Sequence, residues 1–160
     1  PYGDYCQAIW PFYWRDITMN MHALLGTEIP ENQPMALLDL IQTGLPTKSL
    51  TAFKTATGLT DTDLAAVLNL SSRTFTRLRS NLRSKQVQRL PADLTDRLVS
   101  IAAIYQQADE VFGEHATALA WLNEPQFALA QRRPRDLLSS DFGRRQTRAL
   151  LRRIEHGQLA

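Results

Sequence analysis

Cysteine is almost missing from this chain. Cys6 is the single thiol in 160 residues, so no internal disulfide can form and no thiolate cluster can hold a metal. Histidine is nearly as scarce: His22, His115 and His156 stand apart, with no partner at a metal-ligand spacing such as i, i+4. There is no glycine-rich phosphate loop, and Cys6 lies far in sequence from any histidine but His22. An enzyme is therefore not expected, nor is a metal or cofactor. No charge-free apolar run reaches the roughly 18 residues of a membrane span, and no basic start is followed by an apolar stretch as in a secretory signal. A reducing cytoplasm is the expected compartment. Convincing β-alternation is lacking too, and the apolar residues recur with a helical period, so an all-α fold is expected.

Acidic side chains are absent over one stretch in particular. From Ser71 to Leu90 there are six basic residues (Arg73, Arg77, Arg79, Arg83, Lys85 and Arg89) and no acid. A solvated helix normally mixes both signs, whereas a sign-pure stripe attracts phosphates. Elsewhere the charge alternates in blocks. Residues 1–70 hold three basic and seven acidic groups, residues 91–130 one and six, and residues 131–160 eight and three. A net charge of only +2 thus conceals two electropositive surfaces.

The chain is long enough for one domain, or for two small ones sharing a core. Residues 1–34 are expected to be an N-terminal extension and linker. Six of the thirteen aromatics fall within the first eighteen residues, which have no initiator methionine, and Gly26–Pro34 is broken by two prolines and a glycine. No function is assigned to that segment. Met35, Leu37, Leu38 and Ile41 form an apolar stripe that stops at Gly44. Thr47 is placed to cap the next helix, which turns Leu50, Phe53 and Ala56 inward and ends at Gly58.

A third helix opens with Thr60 and Asp63 as a near capping box, and buries Leu64, Ala65 and Leu68. Asn69 tolerates the left-handed backbone that a sharp turn needs. Leu70 plugs that turn, Ser71 caps the fourth helix, and Phe75 and Leu78 anchor it. The spacing is that of a helix-turn-helix over residues 35–90. Candidate DNA contacts are Ser72, Arg73, Thr74, Thr76, Arg77 and Arg79 on its second helix, with Arg83 and Lys85 following. Arginine serves both guanine edges and phosphates. The alternative is a solvated face on a helix-turn-helix that binds nothing.

Residues 91–160 form the expected C-terminal helical part. Pro91 opens a long helix with a seam of Leu94, Leu98, Ile101, Tyr105, Ala108 and Phe112, suited to a core or a dimer. Ala118, Trp121 and Leu122 are expected to point inward from the next helix. Pro134 starts a short helix, and Asp141 is placed to cap the last one. In that last helix Phe142, Leu150, Leu151 and Ile154 are expected to face the core, with Arg145, Arg148 and Arg152 along another ridge.

The segments EVFGEHATALAWLNEP and RPRDLLSSDFGRRQTRALLRRIEHG resemble the C-terminal module of the MbcA/ParS/Xre antitoxin family, the partners of RES-domain toxins. The resemblance extends upstream through SRTFTRLRS and LTDRL, from about Met35 to Gly157. It implies an Xre-like helix-turn-helix joined by a long helix to a toxin-binding module. The module would cover the active site of a cognate NAD-consuming RES toxin. The other half would repress the operon by binding operator DNA, and an oligomer, alone or with toxin, would be the working form. On this resemblance, toxin contact is expected at Arg144, Arg145, Arg148, Arg152, His156 and Gly157. Where the family often has Gly-Gly before its Pro-x-x-Leu-Leu turn, this chain has Ala130-Gln131. A helix-turn-helix repressor without a toxin is the main rival, and an adaptor for some other protein is a third possibility.

Overall fold

The computed structural model describes residues 21–28, 34–81 and 88–158, and among them the regular elements are helices, without a strand. They are α1 (residues 21–25), α2 (Pro34–Thr43), α3 (Lys48–Thr57), α4 (Asp61–Val67), α5 (Ser72–Asn81), α6 (Ala92–Phe112), α7 (His115–Asn123), a 3₁₀ turn η1 (Phe127–Leu129), α8 (Pro134–Leu137) and α9 (Asp141–Glu155). The all-α expectation holds. Arg83 and Lys85 lie outside the described residues, as does the aromatic N-terminal segment.

The chain hangs on α6. The expected seam from Leu94 to Ala108 is buried, but so are Thr95, Val99, Ala102, Ile104 and Gln106. A helix buried on nearly every side is a core element rather than a free coiled-coil face. Its own chain provides the cover, with α2, α7 and α9 all packed against it. One hydrophobic core results, running from Met21 and Leu25 through Phe53, Leu68 and Tyr105 to Leu122, Leu138 and Leu151. Phe53 and Tyr105 meet edge-to-face at its centre, with ring centroids 5.3 Å apart and planes at 83°.

The entry to α6 is fixed by a clasp between residues 44–47 and 88–90. Leu90 N–H donates to the Leu45 carbonyl at 2.8 Å, and Thr47 N–H to the Gln88 carbonyl at 2.9 Å. The buried Thr95 hydroxyl accepts from Leu45 N–H at 3.1 Å. This clasp also redirects Thr47. It holds the N-cap position of α3, but its hydroxyl donates to the Gln88 carbonyl at 2.8 Å instead of capping the helix.

The turn of the helix-turn-helix follows its sequence closely. Thr60 and Asp63 form the full capping box on α4. Asn69 takes the left-handed conformation at φ 53°. Ser71 Oγ accepts from Thr74 N–H at 3.1 Å to start α5, and Phe75 is buried against α4.

Several inward assignments change. On α2, Met35 and Leu38 are 62% and 42% exposed. Leu37 and Ile41 pack on the core as expected, joined by Leu40, because that triplet follows the 3.6-residue period more closely. On α9, Phe142 is 66% exposed, while Gly143, Thr147, Leu150 and Leu151 are buried. Ser140, not Asp141, caps that helix by accepting from Gly143 N–H at 3.0 Å. Asp141 sits in the first turn, paired with Arg145. Trp121 does pack on the core as expected, half-buried and tilted on Phe112 with centroids 5.5 Å apart.

Candidate functional site

Two surfaces carry the candidate residues. The first is α5. Ser72, Arg73, Thr76 and Arg77 stand exposed along it, while Thr74 is half-buried with its hydroxyl 2.9 Å from that of Ser71. Arg79 is exposed but engaged: it pairs with Asp61 in the first turn of α4, and Asp61 also accepts from Lys54 Nζ of α3 at 2.6 Å. That one carboxylate therefore ties three helices together. The Lys54 hydrogen bond, helped by Arg79, holds its carboxyl below the ordinary range against the cost of burial. Arg89, the last cation of the basic stripe, is exposed but committed, donating to the Gly44 carbonyl at 2.7 Å. Beside α5, an open groove of about 670 Å³ runs along α4, with Ala65, Leu70 and Phe75 among its lining and Asp61 and Arg79 at its polar part.

The second surface is α9 and the loop before it. Arg144 and Arg148 are half-buried and reach carbonyls of their own chain, Leu138 at 3.0 Å and Ser100 at 3.2 Å. Arg145, Arg152, His156 and Gly157 are exposed. The outward ridge of α9 is therefore Phe142, Arg145, Ala149, Arg152 and His156, in steps of three and four residues. It shares Arg145 and Arg152 with the ridge expected from sequence, but Ala149 occupies the place given to Arg148.

In the loop, Gln126 and Arg132 form an isolated antiparallel bridge, and Ala130 and Gln131 both adopt left-handed backbone, at φ 54° and 60°. These are the positions where the resemblance calls for glycine. The backbone keeps a conformation that glycine adopts freely, although the side chains differ.

Besides the clasp and the packing of α2 on α6, Arg97, Arg135 and His115 join the helix-turn-helix to the rest. Arg97 of α6 donates to the Leu68 carbonyl at 2.5 Å. Arg135 of α8 donates to Asn123 Oδ1 at 2.7 Å and approaches Asp63 of the α4 capping box at 3.7 Å. His115 lies across the joint, with Nδ1 2.9 Å from Asp109 Oδ1 and Nε2 2.8 Å from the Ala56 carbonyl. Sequence offered His115 no partner at a metal-ligand spacing; the structure leaves it exposed but within reach of Asp109 and Ala56. What joins them is the left-handed Gly113, at φ 70°, which turns the start of α7 back toward Asp109.

Both ring nitrogens of His115 face acceptors, which only the imidazolium can satisfy with two N–H donors. Burial opposes the charge, but the Ala56 carbonyl and Asp109 together outweigh it and raise the His115 pKa above its ordinary value. A pKa raised in the folded state adds stability that is complete below the unfolded value of about 6.5 and fades as pH climbs through the folded one. His115→Gln is therefore expected to melt below the parent at mildly acidic pH, with the gap closing at alkaline pH. Melting curves of both proteins from about pH 5 to about pH 9 check this. A gap independent of pH would show that the ring binds as a neutral group.

The turn, the capped second helix and the appended helices wrapped around α6 define a helix-turn-helix protein carrying a second helical binding module. Residues 36–103 match the family model described as the antitoxin Xre-like helix-turn-helix domain. Residues 107–157 match that of the antitoxin Xre/MbcA/ParS C-terminal toxin-binding domain. The chain belongs to the Xre/MbcA/ParS antitoxin family, and its α7–α9 region lies within the stretch that matches the toxin-binding domain. No match was found among curated proteins. No helix among the described residues is long and apolar enough to cross a membrane.

Proposed function

We propose that this antitoxin neutralises a RES-type, NAD-consuming toxin by laying α9 and its preceding loop over the toxin's active site, and that α5 binds operator DNA to repress the operon. The match of residues 107–157 to a toxin-binding domain carries the first part. The exposed ridge on α9 supports it, because a rigid, capped helix anchored by Leu150 and Leu151 presents side chains without ordering cost. Residues 35–90 then serve DNA and residues 91–160 the toxin, with residues 1–34 outside both. The chain is the inhibitor and not a catalyst, it needs no cofactor, and it works as an oligomer, alone or with toxin.

Of the toxin-facing candidates, Arg152, His156 and Gly157 are exposed for contact and Arg145 is exposed but paired with Asp141, whereas Arg144 and Arg148 brace the fold. The purified toxin encoded beside this chain should consume NAD, and the antitoxin should stop it at equimolar amounts. NAD consumption unaffected by the antitoxin would refute the active-site cover.

For the DNA part, Arg73 and Arg77 are the exposed basic residues of α5 whose side chains make no bond to another described residue, while Arg79 is shared with Asp61. Arg73→Ala with Arg77→Ala is expected to reduce the slope of log affinity against log salt by about 2, as two lost phosphate contacts require. The measurement is a salt titration with promoter DNA. An unchanged slope would remove α5 from the DNA interface.

A further inference from the structure

Residues 107–157 bury or half-bury all but two of their large apolar side chains. Leu122, Leu129, Leu138, Leu150 and Leu151 are all in the interior. Two phenylalanines are left out: Phe127 is 87% exposed on η1, and Phe142 is 66% exposed at the start of α9. These are the most exposed large hydrophobic side chains among the described residues, and both fall within residues 107–157. The elements that bear them pack on one another, since η1 lies against α9. Neither is exposed for want of order around it. Gly143, next to Phe142, is buried and held by the Ser140 cap. Phe127 begins a 3₁₀ turn closed by Ala130 N–H to its own carbonyl at 3.0 Å.

Phe142 also heads the outward ridge that continues through Arg145, Ala149, Arg152 and His156. Aromatic rings beside arginines are the composition of an interface hot spot, where the rings fill pockets and the guanidiniums pair at the rim. Alanine in the middle of the ridge leaves room for close approach. A phosphate backbone would use the arginines but has no place for the rings.

We propose that Phe127 and Phe142 are the apolar anchors with which this antitoxin grips its toxin, flanked by Arg145 and Arg152. The proposal rests on the antitoxin function and adds the chemistry of the partner surface. That surface has a pocket for an aromatic ring edged by carboxylates, which complements a C-terminal segment with eight basic residues and three acids over positions 131–160.

Because both rings are exposed, removing them leaves the fold intact, and that makes the test clean. Phe127→Ala, Phe142→Ala, the double variant and a control, Met35→Ala on the remote α2, are titrated calorimetrically against the toxin encoded beside this chain, inactivated by substitution. Each single variant should weaken binding at least about tenfold and the double variant at least about a hundredfold. The control should bind as the parent does, and all four should melt like the parent. Binding by the double variant within about threefold of the parent would overturn the anchors while leaving the antitoxin function standing. A parent chain that does not bind this toxin would instead remove that function, and the anchors with it. A double variant that loses only self-association, with toxin affinity unchanged, would assign the rings to a second copy of the chain and overturn the proposal.

Discussion

Gly143→Ala is expected to destabilise this antitoxin by about 2–3 kcal/mol, although alanine is the better helix former. Helix propensity alone would favour the change by about 1 kcal/mol. Against that, a methyl group at Gly143 would overlap the Leu137 carbonyl oxygen, with the Leu137 carbonyl carbon and Cβ close behind. The opposing atoms are mainly backbone, in the last turn of α8, and cannot swing aside as a long side chain would. Relief requires α9 to lift off α8, which would disturb the Ser140 cap and the seating of Thr147, whose hydroxyl donates to the Gly143 carbonyl at 3.0 Å. Gly157→Ala serves as the contrast. Its methyl would meet nothing, so only the left-handed backbone at φ 66° resists it, at roughly 1 kcal/mol. Urea unfolding of both variants checks the pair. A Gly143→Ala protein as stable as the parent would show that α8 and α9 are not locked together.

Phe53→Ala should cost more, about 3–5 kcal/mol, since the ring is fully buried and the cavity would lie in the middle of the core. Tyr105 would lose its edge-to-face partner, adding roughly 0.5–1.5 kcal/mol to the loss of buried area and pushing the total toward the upper end. Phe53 belongs to the helix-turn-helix half and Tyr105 to the helix on which the toxin-binding module is packed. The damage should therefore appear in a single transition covering both halves. Denaturant unfolding of chains with Trp10 and Trp14 replaced by Phe, followed by the fluorescence of Trp121 beside α6 and by helix content, should give coincident curves. A loss of less than about 1 kcal/mol would mean that the cavity collapses or fills with water.

Much of this fold was legible in the sequence because its signals are local. The Thr60–Asp63 box, the Asn69 turn and the stop at Gly58 depend on residues a few positions apart, and each stands as expected. What escaped depends on tertiary partners. Thr47 looked like a helix cap, but the clasp brings the Gln88 carbonyl within reach of its hydroxyl. Phe142 looked like a core residue because phenylalanine usually is, yet the closeness of α8 gives the inward position to Gly143. Arg148 looked like part of an outer row, but it lies close enough to α6 to reach the Ser100 carbonyl. The roles of Arg135 and His115 needed the fold itself, since their partners Asp63 and Ala56 lie far away in sequence. Composition did show the basic character of α5 and α9, but not which arginines are already committed within the chain.

The central claim is that α9 and the module it closes bind and silence a toxin. Its most direct test is growth of cells expressing the toxin encoded beside this chain, together with either the full antitoxin or a chain ending at Ser140. The full chain should restore growth. The shortened one should not, because it lacks the exposed ridge and the helix that carries it on α6. Growth restored equally by the shortened chain, or not restored by the full one, would contradict the account.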